Sequence, residues 1–92
     1  MSKQRKSRIY NFMRILWDER KRQVNLDKHG LDFSALDLDF FARAAIVPAK
    51  DGRLLAVGEL NGVITVVFVT LGTEALSVIS MRPASMKERR RL

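Results

Sequence analysis

A single histidine, His29, stands in a chain of 92 residues that carries 17 Lys and Arg against 10 Asp and Glu. Imidazole is the side chain whose ordinary pKa lies nearest neutrality, so His29 is the candidate for proton transfer. The other reading is a last-turn residue that complements the negative end of a helix dipole. Lys28 precedes it, and Lys21 lies seven positions earlier. On a helix those two ammonium groups share a face, with Val24 and Asn25 between them, and can cradle a phosphate or simply be solvated. Arg82 sits beside Pro83 at the end of an apolar run and shares a strand face with Ser80. A guanidinium there binds phosphate bidentately or pairs with an acid. Arg53 opens another run, and its alternative is a hairpin-edge charge. Arg89, followed by Arg90 and Arg91, offers phosphate contacts without sequence information, a solvated face or a partner-facing patch. Trp17 can stack on a base or anchor a helix to the core. Glu88 can act as a base, although a capping box at Ser85 already accounts for it. The chain has no cysteine and no His/Asp cluster at metal-ligand spacing, so neither a metal site nor a cofactor is expected.

These residues need elements to position them. Residues 1–13 read as a flexible basic arm, and Arg14 to Trp17 as a short first strand. Asp18 is a good N-cap for a helix over Glu19 to His29, which ends at Gly30, the residue most often found just past a helix C-terminus. Asp32 can cap a second helix, with Phe33, Leu36, Phe40 and Phe41 spaced as a core-facing stripe. From Ala44 the pattern becomes that of strands. Pro48 to Gly52 is a turn cluster, and Asn61-Gly62 between apolar runs is a strong hairpin signal. Arg53 to Glu59, Val63 to Thr70 and Ala75 to Arg82 then form an antiparallel meander, and Ser85-Met86-Lys87-Glu88 opens a final helix. The expected fold is α+β: two N-terminal helices, an antiparallel sheet of three to four strands and a short C-terminal helix, with residues 14–92 as one domain.

Composition narrows the partners. Residues 1–22 hold eight Lys/Arg against two acids, and residues 82–92 hold five against one, while the middle is acidic. Positive charge at both ends suits RNA, DNA or an acidic protein. The longest apolar run, Val63 to Leu71, is too short to span a bilayer. No signal-peptide core follows the basic N-terminus, so a soluble cytoplasmic protein is expected.

Two ordered signatures carry a resemblance. The first is Ile15-Leu16-Trp17-Asp18, then Lys21, Asn25, Lys28-His29-Gly30 and Phe33. The second is Ile79-Ser80-Met81-Arg82-Pro83-Ala84-Ser85, then Glu88-Arg89. Together with Arg53, Gly58 and Thr70 between them, they resemble the pattern of BrnT-type toxins over residues 14 to 90. Ser77 and Leu71-Gly72 stand where that pattern tends to place arginines. The resemblance implies a RelE-like fold, growth inhibition by RNA cleavage in the cytoplasm, and a cognate antitoxin of the BrnA type whose ribbon-helix-helix end binds DNA.

Metal-independent RNA cleavage through the 2′-hydroxyl needs a base, an acid and cations for the charge growing on phosphate. His29, Lys28, Arg53 and Arg82 are the expected catalytic set, and Lys21, Arg89 and Trp17 the expected RNA contacts. Two alternatives stay open: a non-catalytic module that only binds its antitoxin, and a basic nucleic-acid-binding protein working through its arm.

Overall fold

Strand β1 (Arg14–Trp17) runs into Asp18, whose carboxylate accepts the backbone N–H groups of Arg20 and Lys21 at 2.8 and 3.2 Å. That cap starts helix α1 (Glu19–His29), which closes at Gly30 in the left-handed region, φ 70°, with the Gly30 N–H donating to Leu26 O. The local signals at both ends are therefore read as expected. The computed structural model describes residues 13–92, so the proposed arm lies, apart from Met13, outside the described residues. Met13 itself packs against the core.

The segment after α1 departs from expectation. Asp32 caps only a short 3-10 turn, Phe33–Ala35, by accepting the Ser34 N–H at 2.9 Å. Asp37 then caps a separate helix, α2 (Leu38–Arg43), by accepting the Phe40 N–H at 2.8 Å. Two competing Asp caps thus split what the apolar spacing suggests is one helix. The stripe still reaches its destination: Phe33, Leu36 and Phe40 are buried, and Phe41 packs edge-on against Phe68.

Among the described residues the sheet has five strands, one more than the upper expectation. Strand β2 (Ala45–Pro48) pairs antiparallel with β3 (Leu54–Glu59), β3 with β4 (Val63–Leu71), and β4 with β5 (Ala75–Pro83). The order is β1-β5-β4-β3-β2, and β1 joins β5 in parallel, so the sheet is mixed rather than purely antiparallel. The Asn61-Gly62 turn links β3 and β4, and the exposed Glu59 carboxylate accepts the Gly62 N–H at 2.8 Å. One sheet face carries Ala56, Ile64, Val66, Phe68, Leu76, Val78 and Met81 into a single core with Phe33, Leu36 and Phe40. Full burial of each large apolar side chain contributes roughly 1.5–3 kcal/mol. Gly58 lies close against this core, since a Cβ there would be 2.9 Å from Phe40 Cε1. Helix α3 (Met86–Arg89) has the full capping box: Ser85 Oγ accepts the Glu88 N–H, and the Glu88 carboxylate accepts the Ser85 N–H.

Two irregularities shape the functional region. Strand β1 pairs only with Ala75 to Val78, so β5 beyond Val78 has no β1 neighbour. At the same place β5 bulges: Val67 faces Ser80 and Phe68 faces Val78, leaving Ile79 as the extra residue. Bulges re-aim the side chains that follow them. Here Ser80 and Arg82 fall opposite Val67 and Thr65, while Met81 stays in the core.

Candidate active-site cleft

Helix α1 is almost entirely polar, and Asn25 is its only buried residue. Such a helix cannot be held by apolar burial. Directed bonds hold it instead. Asn25 Oδ1 accepts the Met81 N–H at 3.0 Å, and Asn25 Nδ2 donates to Leu31 O at 3.1 Å. The amide thereby pairs a backbone group of β5 in the stretch that β1 does not reach. Arg22 adds a second tie: its Nε and Nη2 donate to Asp32 at 2.8 and 3.0 Å, and its Nη1 donates to Glu19 at 2.6 Å. The Arg22 guanidinium holds the Asp32 carboxyl well below the usual carboxylate range, and the two acids raise Arg22 in turn.

Between α1 and the outer half of β5 lies a cleft of about 610 Å³. Lys21, Val24, Asn25 and Lys28 line it at the i, i+3, i+4, i+7 spacing of one helix face. His29 closes the C-terminal end of that face, half-buried, while Asp18 and Arg20 stand at the other end. Ile79, Ser80 and Arg82 form the opposite wall. Val24, with 59% of its surface exposed, and the half-buried Ile79 give the cleft an apolar component between its cations.

Four expected residues thus meet in one place: His29, Lys28 and Lys21 from α1, and Arg82 from β5. Three do not. Arg53 is exposed in the β2–β3 connection, on strands separated from β5 by β4. Arg89 is exposed on α3, where its Nε donates to Ala84 O at 3.4 Å. Trp17 packs edge-on to Phe33 with ring centroids 6.5 Å apart, and its Nε1 donates to Glu19 at 3.2 Å. It anchors α1 to the core. Arg20, which the sequence reading did not single out, joins the cleft; its one signal was adjacency to the Asp18 cap and Lys21.

Arg82 is the most constrained cation of the cleft. Its Nη1 and Nη2 donate to the two oxygens of Glu88 at 2.7 and 2.8 Å. Glu88 Oε1 also accepts Thr65 Oγ1–H and the Ser85 N–H, each at 2.9 Å. The Arg82 guanidinium, with the Ser85 and Thr65 donors, pulls the Glu88 carboxyl down to about 2, and Arg82 is raised in return. A guanidinium has five N–H donors, so this fork leaves three for another acceptor.

The chain matches the family model of the ribonuclease toxin BrnT of type II toxin–antitoxin systems over residues 17–88. It belongs to the BrnT toxin family. The 1.1 Å crystal structure of the Brucella abortus ribonuclease toxin BrnT is 55% identical in sequence to this chain. That likeness covers 80% of this chain and 99% of the Brucella toxin, with a TM-score of 0.76. No curated protein matches the chain. The α+β fold with its five-stranded mixed sheet is that of BrnT toxins, and membership of a type II system implies an antitoxin partner. Among the described residues, no helix is long and apolar enough to cross a membrane. Ser77, opposite Val69 and Leu16, and Leu71-Gly72 at the β4–β5 turn do not line the cleft.

Proposed function

We propose that this BrnT-family toxin cleaves RNA in the α1–β5 cleft, through attack of a ribose 2′-hydroxyl on the adjacent phosphate. One observation carries the reading: an imidazole and four cationic side chains line a single cleft of about 610 Å³. Lys21 and Lys28 from one wall and Arg82 from the other hold the phosphate and stabilise the charge that grows on it. Arg20 extends the cationic track along the strand. His29 serves as the proton-transfer group, taking the 2′-hydroxyl proton or supplying one to the leaving 5′-oxygen, while water in the open cleft exchanges the other proton. The bond from the 2′-oxygen to phosphorus forms as the bond to the 5′-oxygen breaks, which leaves a 2′,3′-cyclic phosphate and a 5′-hydroxyl. Every residue assigned a role comes from α1 or β5, so the reading does not depend on arginines at 71, 72 or 77. Arg53, Arg89 and Trp17 have no part in it.

The partner is a cognate antitoxin of the BrnA type, carrying a ribbon-helix-helix end, and the RelE-like toxin acts in the cytoplasm to slow growth. Family membership supports this part of the reading.

End-group analysis tests the chemistry. Purified protein in excess chelator should convert an RNA oligonucleotide to 5′-hydroxyl products and leave its 2′-deoxy counterpart intact. Cleavage of the deoxy strand, or products bearing 5′-phosphates, would overturn the proposed step.

A further inference from the structure

Arg82 reaches the cleft already committed to Glu88, which at first sight makes it a poor phosphate ligand. The geometry points to a different arrangement: we infer that Glu88 is a positioning residue, giving up cleft charge in exchange for a fixed Arg82 guanidinium. This rests on the reading of the cleft as the RNA site.

The carboxylate is held from three directions. The fork to Arg82 uses both oxygens, Thr65 Oγ1 donates from β4, and the Ser85 N–H donates from the cap of α3. Thr65 is fully buried and lies directly opposite Arg82 across the β4–β5 pair. The Glu88 side chain keeps 17% of its surface exposed, against 37% for Arg82. The acid is therefore the buried anchor and the guanidinium the outward part. A planar fork fixes the direction of the remaining donors, which a free arginine loses among its rotamers.

Glu88 cannot serve as a general base while it accepts four hydrogen bonds. It also cancels one positive charge at the wall of a cleft that binds a polyanion. A residue present only to improve affinity would not do that. Removing its charge should therefore have opposite effects on binding and on turnover.

Glu88→Gln tests this, because glutamine also completes a capping box and leaves α3 in place. With an RNA oligonucleotide as substrate, kcat should fall by about tenfold to a hundredfold, as for a displaced catalytic contact. KM should fall at the same time, and the slope of log affinity against log salt should steepen by about 0.7 for one uncovered cation on a single strand. Glu88→Asp keeps the charge but shortens the reach, so kcat should drop with KM unchanged. The second readout needs no activity. In 15N NMR spectra of the full chain, the Arg82 guanidinium should show hindered rotation with separate Nη signals, and these should merge in Glu88→Gln. An unchanged kcat, or a loss arising through KM alone, overturns the inference. So do Arg82 signals that are freely averaged in the unsubstituted protein. If the unsubstituted protein cleaves no RNA while Arg82 is rotationally fixed, the cleft assignment fails and the positioning of Arg82 by Glu88 stands.

Discussion

Replacing Asn25 by alanine tests how the cleft is built. The side chain is buried and bridges Met81 N–H to Leu31 O, joining α1 to β5 across 56 positions of sequence. Alanine leaves both backbone groups without their partner. The Met81 N–H sits on a residue with no exposed surface, whereas Leu31 is half-buried. An unpaired buried polar group costs about 1–3 kcal/mol, so one full and one partial loss give roughly 2–4 kcal/mol. For a domain of this size that lowers Tm by roughly 8–30 °C. Urea unfolding followed by circular dichroism should show the midpoint falling with the slope unchanged. Because α1 carries Lys21, Lys28 and His29, the same change should depress kcat/KM well below what the folded fraction accounts for. A loss smaller than about 0.5 kcal/mol would refute the reasoning, since changes of that size are ordinary at surface positions free of such bonds.

The other expectations concern packing, pH and charge. Gly58→Ala places a methyl group 2.9 Å from Phe40 Cε1, so thermal unfolding should show a loss of about 1–3 kcal/mol from overpacking. Glu88 has its carboxyl lowered from 4.5 to about 2 in the fold. Its contribution is complete above pH 4.5 and is lost as the pH falls toward 2, so acid titration of Glu88→Gln should lack that part of the unfolding profile. Lys21→Ala with Lys28→Ala should weaken RNA binding and reduce the salt slope by about 1.4 for two lost contacts on a single strand. A slope that does not change would remove both lysines from the site.

Much of the fold was legible because its signals are local. Asp18 and Gly30 bound α1, Asn61-Gly62 sets the central hairpin, and the Ser85/Glu88 box opens α3, each within a few residues of sequence. The parts that escaped are decided at a distance. Strand β2 has four residues, ends in Pro48 and is defined only by its register against β3. The parallel pairing of β1 with β5 joins segments 61 residues apart, and no local pattern announces it. The Phe33-to-Phe41 stripe gave the right buried residues on the wrong backbone, because a 3-10 turn and a new cap preserve its spacing.

The site divides in the same way. Helical periodicity alone puts Lys21, Lys28 and their neighbours on one face. Arg53 and Arg82 look equivalent in the sequence, each an arginine at a strand end, and only the strand order separates them. The role of Asn25 could not be read without knowing that β5 outruns its partner strand. The fork between Arg82 and Glu88 was foreseen only as the general alternative that an arginine pairs with an acid.

The most direct test of the cleft is the single-turnover cleavage rate of one RNA oligonucleotide by His29→Ala and by Arg53→Ala, each compared with the unsubstituted protein. The rate should fall by about a hundredfold or more in His29→Ala, in the range for loss of a proton-transfer group, and stay near normal in Arg53→Ala. Undiminished cleavage by His29→Ala, or a collapse in Arg53→Ala with its fold intact, would contradict the cleft assignment.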